Sequence, residues 1–114
     1  MRSLLNKENL MIRKAFVMQL LPGNEAEYEK RHNPIWDDLI AVFREHGVRN
    51  YSIFLNEETQ QLFGYAEVES EERWGAIAGT DACQRWWKFM SDVMEYNDDG
   101  TPAATPLREV FHLD

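Results

Sequence analysis

Two apolar rhythms alternate along this chain, and their order constrains the fold more than any other feature. A period-two segment is followed by a helical one, then by two more period-two segments, another helical stretch and a final period-two segment. The first runs from Ile12 to Leu20. One parity carries Ile12, Phe16, Met18 and Leu20, with Lys14 as the exception, and the other carries Ala15 and Val17. Both faces are partly apolar, as expected of a sheet covered on both sides. Leu21-Pro-Gly-Asn24 reads as a turn, with Asn24 as the N-cap of a helix whose first turn holds Glu25 and Glu27. Tyr28, His32, Ile35, Leu39 and Phe43 form its apolar stripe. Pro34 interrupts it, so Asn33-Pro34 is expected to cap and restart a second helical piece, with a kink beside His32. His46-Gly47 closes it.

Val48 to Leu55 reads as the second strand, with Tyr51, Ile53 and Leu55 on one face. Residues 56–60 form a polar hairpin loop, and Gln61 to Glu69 return. Gly64 in mid-strand implies a close approach to its backbone. Ser70 caps a short helix to Ala78, with Trp74 inward. Thr80 or Asp81 caps another to about Met94, with Cys83, Trp86 or Trp87, Met90 and Val93 near one stripe. Residues 95–106 read as loop and Leu107 to Leu113 as the last strand. The order β-α-β-β-α-β is that of an α+β, ferredoxin-like split βαβ sandwich. Helices on one sheet face leave the other open, so a second copy is expected to cover it, giving a homodimer of the dimeric α/β barrel type. Residues 1–10 show no period and read as an N-terminal extension outside a single domain spanning 11–114.

Charge narrows the ligand. Twelve Lys and Arg against twenty Asp and Glu leave a net charge of −8. That balance argues against nucleic acid and anionic membrane as partners, and weakly against phosphorylated substrates. One cysteine forbids an intrachain disulfide and a cysteine-cluster metal site, and fits the cytoplasm. No apolar run approaches the roughly 20 residues that span a bilayer, and Leu4-Leu5 is too short for a signal-peptide core.

The chain has no phosphate loop, no G-x-G-x-x-G, no H-E-x-x-H and no C-x-x-C. What stands out is fourteen aromatic rings in 114 residues. Tyr28 and His32 lie one helical turn apart and project from the same face. Spacing alone leaves two readings of His32, a satisfied interior histidine or an acid–base group in a cavity between helix and sheet. His46, at a helix end, reads as a capping residue, and His112 is ambiguous. Trp86 and Trp87 are about 100° apart on a helix and cannot stack in one place. They are either core and interface, or walls for a sugar or another apolar ring. Tyr51 adds a hydroxyl on the helix side of its strand. Such a pocket suits a small, neutral, polar ligand.

Several strings resemble the bacterial L-rhamnose mutarotase family. They are Met11-Ile-Arg-Lys-Ala-Phe-Val-Met-Gln19, Tyr28-Glu-Lys-Arg-His-Asn-Pro-Ile-Trp36, Glu69-Ser-Glu-Glu-Arg-Trp74, Cys83-Gln-Arg-Trp-Trp-Lys88 and Met90-Ser-Asp-Val-Met94. The resemblance runs from Met11 to the C-terminus. It implies a dimeric ferredoxin-like isomerase of rhamnose metabolism, exchanging the α and β anomers of L-rhamnopyranose with no metal or cofactor. The family's histidine proton donor falls on His32, its sugar-contacting tyrosines on Tyr28 and Tyr51, and its tandem tryptophans on Trp86 and Trp87. Two other readings of the same fold are a cofactorless monooxygenase and a non-catalytic sensor of small ligands.

Overall fold

The computed structural model describes residues 11–114. The expectation for the segment 1–10 lies outside the described residues. The elements are β1 (Ile12–Gln19), α1 (Glu25–Arg31), α2 (Asp37–Glu45), β2 (Val48–Asn56), β3 (Gln61–Val68), α3 (Glu71–Ala76), a 3-10 turn (Ile77–Gly79), α4 (Asp81–Met90) and β4 (Thr105–Leu107). The strands form one antiparallel sheet in the order β2-β3-β1-β4, the ferredoxin-like arrangement expected from the rhythm of the sequence. Among the described residues no helix is long and apolar enough to cross a membrane.

The helices cover one sheet face. Leu20, Leu39, Leu62, Val68, Met90 and Val93 are the largest fully buried side chains between the layers. Each such aliphatic side chain contributes roughly 1.5–3 kcal/mol through burial. Two caps act as their sequence suggests. Ser70 Oγ accepts from the Arg73 N–H at 3.1 Å, and Thr80 Oγ1 accepts from the Cys83 N–H at 3.3 Å. Gly47 ends α2 at a φ of +75°, where a Cβ would also press on the Glu69 side chain. Gly64 is needed because the ring of its cross-strand partner Phe16 lies over it, in the space a Cβ would occupy.

Other expectations need correction. Asn24 stands at the N-cap of α1, but its side chain makes no cap bond; its Nδ2 donates backwards, to the Leu21 and Pro22 carbonyls at 3.2 and 3.1 Å. The second helical piece starts at Asp37 with Trp36 at its N-cap, not at Pro34. The helix after Ser70 ends at Ala76 and tightens into the 3-10 turn. Helix α4 ends at Met90, because Val93 and Met94 are drawn to the edge of β1: Leu20 pairs with Met94, and the Leu21 N–H donates to the Val93 carbonyl at 2.9 Å. The last strand is Thr105–Leu107 rather than Leu107–Leu113, since pairing with β1 stops at Ala15↔Leu107. Among the described residues, the alternating apolar residues beyond it have no ladder partner. Val110, Phe111 and Leu113 are 78–79% exposed.

One irregularity of β2 bears directly on the site. Arg49 pairs with Glu67 and Ser52 with Tyr65, so Asn50 and Tyr51 together oppose Ala66. This β-bulge has Asn50 in the left-handed region, at φ 50°. Val48 and Tyr51 differ in parity, yet the extra residue lets both face the helices.

Candidate active site

Helix α1 tightens at its end. The His32 N–H bonds to the Glu29 carbonyl three residues back, at 3.2 Å, rather than to Tyr28. The Tyr28 carbonyl is instead met by His32 Nδ1 at 2.8 Å. A carbonyl only accepts, so Nδ1 carries the hydrogen and Nε2 of the neutral ring carries a lone pair. The Tyr28 and His32 rings lie 4.3 Å apart, and Trp86 meets the imidazole edge-on at 5.0 Å. Burial lowers the His32 pKa, against a smaller opposing effect of the Tyr28 carbonyl, and so favours the neutral ring.

Arg31, next to the histidine, ties this helix end to α4. Its Nε donates to Glu27 at 2.8 Å, its Nη1 to Asp92 at 2.8 Å and to the Phe89 carbonyl at 2.7 Å. The guanidinium also lies 4.5 Å from the Phe89 ring centre. Trp36 packs edge-on against Trp86 at 5.1 Å.

Tyr28, His32, Tyr51, Trp86 and Trp87 all line one cavity of about 640 Å³ between the helices and the sheet. Phe16, Trp74, Cys83 and Tyr96 line it too. A second cleft, of about 1310 Å³, shares Tyr28, His32, Tyr51 and Trp86 but lacks Trp87. The bulge in β2 delivers Tyr51, whose ring is fixed by Phe43 at 5.3 Å and by Phe16 and Trp74 at 6.2 Å each. Trp86 is 8% exposed and Trp87 half-buried, so one indole serves the core more than the other. Burial raises the pKa of Tyr28 and of Tyr51 well above the ordinary phenol range, so both are neutral hydroxyls. The Cys83 thiol is pushed up to about 11 by burial and stays protonated.

The other two histidines stand elsewhere. His46 Nδ1 meets the Val42 carbonyl at 2.7 Å, in keeping with its capping role, and His112 is exposed beside Asp114. Among the described residues no three His, Cys, Asp or Glu side chains converge as they would around a metal ion. Tyr96, within a segment read only as loop, is the site residue that sequence reasoning missed. The one signal available was its place two residues after Met94, in strand-like alternation.

Fold and site together define a ferredoxin-like α+β domain with an aromatic, hydroxyl-bearing cavity lined by one histidine. A family model described as L-rhamnose mutarotase matches residues 13–113. The L-rhamnose mutarotase of Opitutus terrae is 64% identical over 104 residues, covering 91% of this chain and all of that one. That of Shigella flexneri is 57% identical over 103 residues, 90% of this chain and 99% of that one. The crystal structure of an L-rhamnose mutarotase from Formosa agariphila superposes with a TM-score of 0.82 at 37% identity, covering 90% of this chain and 99% of that one. The chain belongs to the L-rhamnose mutarotase family.

Proposed function

We propose that this protein interconverts the α and β anomers of L-rhamnopyranose, with His32 as the proton carrier. The supporting observation is the Nδ1 contact to the Tyr28 carbonyl at 2.8 Å, which gives the neutral ring a free lone pair at Nε2. An anomeric centre cannot invert while the pyranose is closed. The ring must open to the aldehyde, the C1–C2 bond must turn, and the ring must close on the other face. Opening removes a proton from O1 and adds one to O5, and both oxygens are bonded to C1. One imidazole can therefore serve both. Nε2 takes the O1 proton as C1=O1 forms and C1–O5 breaks, and the imidazolium then protonates O5. Closure reverses the two transfers, and His32 ends neutral each time. Help of this kind is worth about 10²–10⁴ in rate.

Neutral Tyr28 and Tyr51 hydroxyls donate to sugar oxygens, while Trp86 and Trp87 take the apolar C–H face and the C6 methyl. A methyl contributes only about 1–3 kcal/mol of selection, which is all that separates L-rhamnose from L-mannose, its 6-hydroxy counterpart, whereas hydroxyl pairing carries the discrimination against L-fucose, whose ring hydroxyls differ in configuration. The test is NMR saturation transfer between the α and β anomeric protons of L-rhamnose. Wild type should transfer and His32→Ala should not. Transfer by both would leave the activity and remove the histidine from it. No transfer by wild type would refute the activity.

The reading includes a homodimer in the cytoplasm. On the outer sheet face Phe54 is 66% and Phe63 36% exposed, and the apolar tail beyond β4 is open along its length. A second copy seated on that face would cover both. Light scattering should give twice the 13.4 kDa chain mass, and a chain mass of one unit would refute it.

A further inference from the structure

Tyr96 comes from the segment that follows α4, and this segment is braced on both sides. The Glu95 N–H donates to the Gln19 carbonyl at 2.9 Å, adding a rung beside β1, and the Ala103 N–H donates back to the Glu95 carbonyl at 3.1 Å. Tyr96 pairs with Pro102, and the Asn97 N–H donates to the Thr101 carbonyl at 2.8 Å. The Asp99 carboxylate accepts from the Thr101 N–H at 3.0 Å and from its hydroxyl at 2.6 Å, which closes the tip. The backbone here is a small hairpin. Its alternation sends Met94 into the core, Glu95 to solvent and Tyr96 inward. The Tyr96 ring packs against the core and borders the same cavity as His32 and Tyr28. Burial keeps its hydroxyl protonated.

Among the described residues, neither Tyr96 nor Tyr28 nor Tyr51 places its hydroxyl in a hydrogen bond with the chain. Tyr65, on the outer face, instead donates to Glu67 at 2.8 Å. Partly buried phenols normally find a partner. Three that share one cavity and lack one are arranged for a ligand with several oxygens.

We propose that Tyr96 is a third sugar-binding tyrosine, pairing with a ring hydroxyl of the substrate and setting which sugars the cavity accepts. This rests on the reading of the cavity as the L-rhamnose site. Tyr96 takes no part in proton transfer, so its contribution is to binding that ground state and transition state share.

The test measures anomer exchange and binding for wild type and Tyr96→Phe, with L-rhamnose and its 2-, 3- and 4-deoxy analogues. Tyr96→Phe keeps the ring and should keep the thermal midpoint. With L-rhamnose its KM and its Kd should rise about tenfold while kcat stays within twofold, the loss of one neutral hydrogen bond. One deoxy analogue should bind wild type about tenfold more weakly than L-rhamnose, yet lose nothing further in Tyr96→Phe, since both changes delete the same bond. Unchanged KM in Tyr96→Phe, or losses that multiply for all three analogues, would overturn the assignment and leave the mutarotase reading standing. Failure of the wild type to bind or exchange L-rhamnose would overturn both.

Discussion

Replacing His32 by asparagine separates the chemistry of the imidazole from its place in the fold. Asparagine Nδ2 stands three bonds from Cα, as histidine Nδ1 does, so it can keep the bond to the Tyr28 carbonyl. The neighbouring residue demonstrates the geometry: Asn33 Nδ2 donates to the Glu29 carbonyl, four residues back, at 2.8 Å. What His32→Asn loses is Nε2 and the ring faces against Tyr28 and Trp86. Each aromatic contact is worth about 0.5–1.5 kcal/mol, so the variant should lose roughly 1–3 kcal/mol of stability. His32→Ala should lose about 1–3 kcal/mol more, because it also strands a partly buried carbonyl. Both should lose the same 10²–10⁴ in exchange rate, about 2.7–5.5 kcal/mol of barrier. Urea midpoints report the first pair of numbers and saturation transfer the second. If folded His32→Asn exchanges anomers within about tenfold of wild type, the proton carrier is some other group. If the two variants are equally stable, the Nδ1 bond does not hold the helix end.

Activity should fall as pH drops below the ordinary histidine range, because protonation fills Nε2, and a pH–rate profile of kcat/KM reads the inflection. Stability should move with it: burial lowers the His32 pKa, so the folded chain binds fewer protons than the unfolded one, and the stabilisation present at higher pH is lost as pH falls through that range. Arg31→Lys should lower the thermal midpoint by a few degrees, about 1–2 kcal/mol, since an ammonium cannot span Glu27, Asp92 and the Phe89 carbonyl together. Gly64→Ala should displace the Phe16 ring at about 1–3 kcal/mol, part of it offset by a stiffer unfolded chain, and should raise KM because Phe16 lines the cavity. Chemical unfolding and exchange kinetics check these last two.

Much of this was legible because it is local. Ser70 and Thr80 cap through bonds three residues long, Gly64 announced the close approach that Phe16 makes, and Tyr28 and His32 share a helix face by spacing alone. What escaped depends on partners remote in sequence. The end of α4 is set by pairing with β1, and the last strand stops where its own pairing with β1 ends, at Ala15↔Leu107. Tyr51 faces inward in step with Ile53 and Leu55, but that Val48, of the other parity, does so too depends on a bulge that parity counting cannot see. Only Asn50, a residue that tolerates positive φ, hinted at it. Tyr96 was missed because two backbone rungs from Gln19 and Ala103 turn a polar loop into a small hairpin.

The Nδ1 bond of His32 joins residues four apart on one helical turn. The tautomer is thus fixed within a segment of five residues, independent of the sheet. Tyr51 and the tryptophans line the same cavity from other elements, across the tertiary packing. Any breathing of α1 against the sheet changes the span from the histidine to those walls and leaves its tautomer untouched. A chain loosened by heat or by a core substitution should therefore release its sugar before it loses its base. Transplanted onto another helix end that tightens in the same way, the Tyr-x-x-x-His turn would carry its tautomer with it.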